Sequence, residues 1–352
     1  MGSLRGYLSG LRRRHRALSV LKKAGYDAAR VDAWARSLGP ERTLALELAR
    51  DAAVLETQPY FKPGIWQSLW KGTSRDEALL AAADNCLYGL ALERKELSDW
   101  QNVPENAERA ETAMVRALNE SVLHAVRFCG GWSRAYAGGG YPGNPAVARM
   151  AEVLERCPGR ALDIGAGGMP FYPVLKERPD WIASDLNLPA LRIMRAALGL
   201  GPEHFVCHDA QVLPFPDSSF EVIISRYVIE NVLRPKQMLC EVSRALSTGG
   251  SFILLVPRVM FRAQDKRDFF TNRKNFPSRD NFESWCREAG MTIEHFYETE
   301  SVYHLRKSGK PDDAPPEGAA PEFRVDGIAV RLPERFVTGD FGTLKKYADK
   351  NN

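Results

Sequence analysis

Arg160-Ala161-Leu162-Asp163-Ile164-Gly165-Ala166-Gly167-Gly168 is an apolar run that ends in an acidic residue and a glycine turn, the way a nucleotide-binding α/β sheet begins. The reading of this stretch decides the fold. A dinucleotide site requires G-x-G-x-x-G, with the third glycine allowing the helix to pack closely behind a pyrophosphate. Here the third-glycine position is Pro170, so a dinucleotide fingerprint is excluded. What remains is a carboxylate two places before the first glycine of a G-x-G turn.

Downstream, the chain alternates. Strands are expected at 160–164, 181–185, 204–207, 220–225 and 251–256, with helices from Pro170, over 188–198 and over 235–246. Alternating βα units give a parallel, doubly wound sheet. A helix over 278–289 and two further strands, 291–298 and 302–307, make an antiparallel edge, so the fold class is α/β, Rossmann-like, with about seven strands. Upstream, Asn144-Pro145 opens a helix to about Cys157, with Asn as cap and Pro in the first turn. Residues 40–130 read as successive helices. The run 41–56 repeats Leu44, Leu48 and Leu55. Ser74-Arg75-Asp76-Glu77 is a capping box, and 107–128 sets Met114, Leu118, Val122 and Val126 on one stripe. The expected organisation is a helical N-terminal region (1–130), a Gly/aromatic loop (131–144) carrying Trp132, Tyr136 and Tyr141, and the sheet domain (145–309). A Pro-rich linker (310–322) and a C-terminal extension (323–352) follow, the latter with a small hairpin around Asp326-Gly327.

Composition fits a globular protein: 352 residues, 44% of them hydrophobic. The six cysteines are dispersed without a C-x-x-C pair, which argues against a zinc site or a disulfide framework; no metal is expected, and a reducing cytoplasm is the expected location. No apolar run reaches the roughly 20 residues needed to span a bilayer. The net charge of +4 conceals a gradient, because residues 1–36 carry nine Lys/Arg against Asp27 and Asp32. That segment is Arg-rich and nearly free of acids, as transit peptides are. It reads foremost as a solvated helix face, with contact to an anionic partner or membrane surface as the alternative.

The landmarks LDIGAGG (162–168), SDLN (184–187), HDAQVLPFPDSSFEVIIS (208–225), IENV (229–232), EVSRALSTGG (241–250) and EAGM (288–291) together resemble the class I S-adenosylmethionine-dependent methyltransferases. Within them they are most similar to the small-molecule, type 11 group that includes ubiquinone and menaquinone methylases. The resemblance covers about residues 145–307 and implies S-adenosylmethionine as cofactor. It implies that Gly165, Ala166 and Gly167 bring backbone N–H groups to the cofactor's amino acid portion, with Asp163 anchoring the turn or the ammonium. Asp185, with Leu186 beside it, would accept the ribose hydroxyls. Asp209-Ala210 would meet the adenine, and Arg226 would leave the fourth strand above the transfer site. Several positions depart from the family pattern: Met169 where a third glycine is common, Glu221 for aspartate, Asn231 for histidine after Glu230, and Ser247-Thr248 for Lys-Pro. None of these changes removes a ribose or adenine contact, and the Glu230-Asn231 change bears on acceptor chemistry.

Tyr227, Glu230 and His304 are the candidates for contacting or deprotonating an acceptor, with Tyr303 beside His304; each is also a plausible packing residue. Methyl transfer from a sulfonium is an in-line displacement, so alignment and water exclusion are the main tasks and a base is optional. The expected acceptor is a small molecule. The competing reading, methylation of RNA or another polyanion, rests on the basic and aromatic residues interleaved over 261–279. A third, a non-catalytic cofactor-binding scaffold, is disfavoured by Asp185 and Asp209.

Overall fold

The computed structural model describes residues 2–57, 61–97, 107–127, 144–257, 277–309, 322–333 and 336. Strands β1 (Ala161–Ile164), β2 (Trp181–Asp185), β3 (Phe205–His208), β4 (Phe220–Arg226), β5 (Leu246–Leu255), β6 (Met291–Tyr297), β7 (Val302–Lys307), β8 (Glu322–Val325) and β9 (Ile328–Arg331) form one sheet. Their order is β6-β7-β5-β4-β1-β2-β3-β9-β8. The chain winds one way from β1 through β2 to β3 and the other way through β4 to β5, all in parallel, while β7 runs antiparallel to β5 and β6. The switch in direction therefore lies between β1 and β4, where open α/β sheets hold their ligands.

Successive residues of each strand serve opposite layers. Ala161, Ala183, Cys207, Val222, Ile224, Ile253 and Val330 belong to one core, shared with the N-terminal helices. Leu162, Ile182, Val206, Ile223, Phe252 and Leu254 belong to the other, which packs on helices α10 (Pro235–Ala245) and α11 (Arg279–Glu288) through Leu239, Val242, Phe282 and Cys286. Because both faces are covered, the central strands are continuous apolar runs. Each fully buried aliphatic side chain contributes on the order of 1.5–3 kcal/mol.

The N-terminal region is helical as expected: α1 (Gly2–Lys23), α2 (Ala28–Ser37), α3 (Arg42–Leu55), α4 (Ile65–Leu69), α5 (Arg75–Leu97) and α6 (Ala107–Glu120). The capping box forms, with the Ser74 N–H donating to Glu77 at 2.9 Å and the Glu77 N–H to Ser74 Oγ at 3.3 Å. The basic helix α1 buries Ala17 and Leu21 in the same core as the sheet, so its charge lies on a helix that packs inward through its other face. The single helix expected over 107–128 is broken after Glu120; of its stripe Met114, Val122 and Val126 are buried and Leu118 is only half-buried, while Glu111, Val115 and Asn119 also face inward. Buried polar residues at 111 and 119 had no place in a reading that followed apolar periodicity alone.

Helix α7 (Pro145–Arg156) starts as expected, capped by Asn144 Oδ1, which accepts the Ala146 and Val147 N–H groups. The helix expected from Pro170 is shortened to α8 (Tyr172–Leu175); Pro179 follows within a turn and disfavours helical backbone at the residue before it. Helix α9 (Leu188–Leu198) has the expected limits, between the Asn187 cap and Gly199. The strand count is the main correction: among the described residues the sheet has nine strands where about seven were expected. The Asp326-Gly327 hairpin forms, both turn residues having positive φ, as a two-residue primed turn requires. Its strand β9 then adds in parallel to β3, pairing Val206 with Ala329. Arg192 ion-pairs with Asp326 at 2.7 Å, and Arg331 donates to the Pro214 carbonyl at 2.8 Å, tying the hairpin to α9 and to the loop after β3. The Gly/aromatic loop with Trp132, Tyr136 and Tyr141, the stretch 258–276 and the linker 310–321 lie outside the described residues.

Candidate active site

Register assembles the site. Ile164 pairs with Ser184 on one side and Ser225 on the other, so Asp163, Asp185 and Arg226 reach a common rim at the carboxyl ends of β1, β2 and β4. Asp163 is 1% exposed, and its Oδ2 has no hydrogen-bond partner. Burial is the largest influence on this carboxyl; the positive Arg226 opposes it and the negative Asp185 reinforces it, leaving the pKa pushed up to about 7. A buried carboxyl poised this way is a recognised mark of a functional site.

The glycine turn does not present its amides outward as expected. The Gly165 and Ala166 N–H groups donate to the Ser184 carbonyl at 2.8 and 2.9 Å, and the Gly167 N–H donates to Asp185 Oδ2 at 2.9 Å. These donors lock the turn to β2. What the glycines supply is backbone freedom: Gly165 has φ +71°, and a Cβ there would sit 2.2 Å from Val228 Cγ2, whereas Gly167, at φ +49°, would bring a Cβ only into ordinary contact with the Gly165 carbonyl oxygen at 3.9 Å. Met169 takes a left-handed φ of 50°, the conformation that favours glycine.

Asp185 accepts from Gly167 with one oxygen and from the Asn187 N–H at 2.8 Å with the other. Burial raises its pKa against the pull of these backbone donors. A carboxylate has about four acceptor positions, so Asp185 retains capacity for hydroxyl donors while serving as the clasp of the loop. Leu186, the next residue, is gripped by its backbone: its carbonyl accepts from Asn119 Nδ2 at 3.0 Å, and Asn119 Oδ1 accepts the Leu188 N–H at 3.0 Å.

At the end of β3, Asp209 is 2% exposed. Its Oδ1 accepts the Gln211 N–H at 2.9 Å, and the Gln211 Nε2 lies 3.0 and 3.1 Å from its two oxygens. The same Nε2 lies 3.0 Å from Glu111 Oε1 on α6. Ala210 is half-buried against the second core. The preceding His208 is fully enclosed, its Nδ1–H donating to the Asp209 carbonyl at 2.9 Å, with its pKa pushed down to about 4, chiefly by burial.

Of the acceptor-side candidates, Tyr227 and Glu230 leave β4 on a tight turn. Tyr227 has φ 57°, its ring centroid lies 5.5 Å from the Arg226 guanidinium carbon, and Glu230 is 1% exposed. His304 is not gathered with them. It sits on β7 opposite Ile253, separated from β1 by β5 and β4. Its Nε2 is 3.1 Å from Ser251 Oγ and its Nδ1 3.2 Å from Glu294, with the pKa lowered, first by burial. Tyr303 is fully buried and stacked on Phe296. The structure thus unites Asp163, Gly165, Ala166, Gly167, Asp185, Leu186 and Arg226, with Asp209 and Ala210 at the adjoining strand end, and leaves His304 in an edge network. Glu111, Asn119 and Gln211 were missed. The signal for them was weak: two polar residues eight apart on a helix, both spaced to share a face.

Among the described residues, no cluster of His, Cys, Asp and Glu is arranged to hold a metal ion, and no helix is long and apolar enough to cross a membrane.

Residues 162–254 match a family described as a methyltransferase domain. The chain is similar to a demethylmenaquinone methyltransferase of Clavibacter sepedonicus, 26% identical over 200 residues, which are 48% of this chain and 82% of the relative. It is 34% identical over 113 residues to a demethylmenaquinone methyltransferase of Deinococcus radiodurans, covering 31% of this chain but only 47% of that relative. Among solved structures, a methyltransferase of Thermotoga maritima described as a possible histamine N-methyltransferase is 21% identical. It covers 52% of this chain and 96% of its own, with a TM-score of 0.38, a likeness too loose to bear on function.

Proposed function

We propose that the chain, whose residues 162–254 match a methyltransferase domain, is a class I S-adenosylmethionine-dependent methyltransferase that methylates a small-molecule acceptor at the rim where β1, β2 and β4 end. The observation that carries this reading is Asp163: a buried carboxyl oxygen without a partner, close enough to Arg226 to feel its charge. It fits the ammonium of an amino acid. It does not fit a pyrophosphate, and neither does a glycine turn whose amides are already engaged.

When bound, S-adenosylmethionine supplies an activated methyl group on sulfur. The protein's part is then alignment and exclusion of water, which for an in-line displacement supplies most of the rate. In this reading Asp163 takes the ammonium, Asp185 the ribose hydroxyls and Asp209 the adenine amino group. Arg226 restrains the two buried carboxylates electrostatically, and Tyr227 and Glu230 border the acceptor. The similarity to demethylmenaquinone methyltransferases supports a small organic acceptor over a polyanion. The basic and aromatic stretch that motivated an RNA acceptor lies almost entirely outside the described residues.

The test is calorimetric titration with S-adenosylmethionine. The native protein binds, and Asp185→Ala, which loses both the hydroxyl acceptor and the clasp on Gly167, binds at least about tenfold more weakly, the loss expected for a charged hydrogen-bond partner. Unchanged affinity in that variant removes the assignment.

A further inference from the structure

Two buried carboxylates flank a single side-chain amide beneath the end of β3. Glu111 is 5% exposed, Asp209 2% and Gln211 2%. The Gln211 amide nitrogen carries two protons. One is directed to Glu111 Oε1 at 3.0 Å and the other is shared between the Asp209 oxygens at 3.0 and 3.1 Å. The amide oxygen accepts the Arg234 N–H at 2.7 Å. That oxygen contact fixes the orientation of the amide, because a flipped group would set its oxygen against both carboxylates and its NH2 against an N–H donor. Gln211 is thus held at three points, and it holds Asp209 by both its backbone and its side chain.

We propose that Glu111, acting through Gln211, is a positioning residue that sets the Asp209 carboxylate and with it the selectivity of the cofactor site for a 6-aminopurine. This rests on the reading of Asp209 as the adenine acceptor. The physical argument is one of complementarity. A carboxylate accepts only, so a fixed Asp209 rewards a 6-amino donor and repels a 6-oxo acceptor; buried polar groups left unpaired are what make such discrimination large. The discrimination depends on the carboxylate being held still, and without Glu111 the amide loses the anchor opposing Asp209. Glu111 lies on α6, whose Asn119 also grips the backbone on both sides of Asn187. One helix of the N-terminal region therefore steadies the strand ends assigned to ribose and to base.

The experiment measures, by calorimetry on the full chain, the affinities for S-adenosylhomocysteine and for its 6-oxo (inosyl) analogue. The adenosyl preference of the native protein falls about tenfold in Glu111→Ala and in Gln211→Ala, and is retained in Glu111→Gln, whose Oε1 accepts the same N–H. A merely structural role moves the two affinities together and leaves their ratio alone; an unchanged ratio in both alanine variants, with native thermal stability or without it, overturns the proposal. Asp209→Asn separates the two levels. If it abolishes the preference while the Glu111 and Gln211 variants keep it, the positioning role is wrong and the adenine assignment stands. If it keeps the preference, or if the native protein binds neither ligand, the underlying assignment fails and the proposal with it.

Discussion

Asp163 joins the fold and the site in one titration. With its pKa pushed up to about 7 by burial, against an ordinary value near 3.9, the carboxyl is about three units harder to ionise in the folded chain, which at about 1.4 kcal/mol per unit is about 4 kcal/mol. Because the folded value lies above the unfolded one, this group's contribution to stability is fully present below about pH 4, declines as pH rises, and is gone above about pH 7. The cofactor-free protein at pH 8 therefore carries an ionised, buried carboxylate at that expense. Asp163→Asn keeps the shape and removes the charge, although its new amide has to find a partner; the variant is more stable than the native protein at pH 8 by about 2–4 kcal/mol. The advantage shrinks toward zero at pH 4. Urea unfolding across this range checks both statements. The same substitution abolishes cofactor binding, since the ammonium loses its counter-charge. Equal or lower stability of Asp163→Asn at pH 8, or an advantage independent of pH, shows that burial does not raise the Asp163 pKa.

Other consequences can be measured alongside. Gly165→Ala forces a left-handed φ of +71° on a residue with a Cβ and brings that atom to 2.2 Å from Val228 Cγ2; the conformation alone costs about 1–2 kcal/mol. Unfolding of Gly165→Ala with and without Val228→Ala separates the two parts, the second substitution recovering the clash and not the φ term. His208, whose pKa is pushed down to about 4, stabilises the fold above about pH 6.5 and loses that contribution as pH falls toward 4, by about 3 kcal/mol. In His208→Asn, whose amide can reproduce the contact with the Asp209 carbonyl, this acid-side slope disappears. Val330 is fully buried where β9 joins β3; Val330→Asp places an unpaired charge there and lowers stability by about 3 kcal/mol or more, with β3 amides gaining hydrogen-exchange rate first.

The sheet was legible because its strands are short apolar runs punctuated by turn residues, and LDIGAGG and SDLN mark their ends. Helix α9 and strand β7 fall at the limits read from sequence, since Asn187-Leu188-Pro189 and Gly199 punctuate the first and the 302–307 run the second. The Asp326-Gly327 hairpin was legible as a hairpin and illegible as the far edge of the sheet, because pairing of Ala329 with Val206 is a contact between residues 123 positions apart that no local pattern encodes. At the site, Asp163, Asp185 and Asp209 stood out as acids at strand ends. The destination of the glycine-turn amides did not, since a G-x-G turn reads the same whether its N–H groups face a ligand or the Ser184 carbonyl. Glu111 and Asn119 were hidden for a related reason: apolar periodicity marks a buried face and is silent about polar residues buried with it. His304 was chosen for its chemistry, and its place is decided by β7 pairing beyond β5.

Transfer of a methyl group at this rim to a small molecule is open to direct measurement. It is tested most directly by incubating the protein with methyl-tritiated S-adenosylmethionine and host extract separated into small polar molecules, lipids, RNA and protein. Label is expected in a small-molecule or lipid fraction and is lost with Asp185→Ala; label confined to RNA or protein, or absent from every fraction, rules out a small-molecule acceptor.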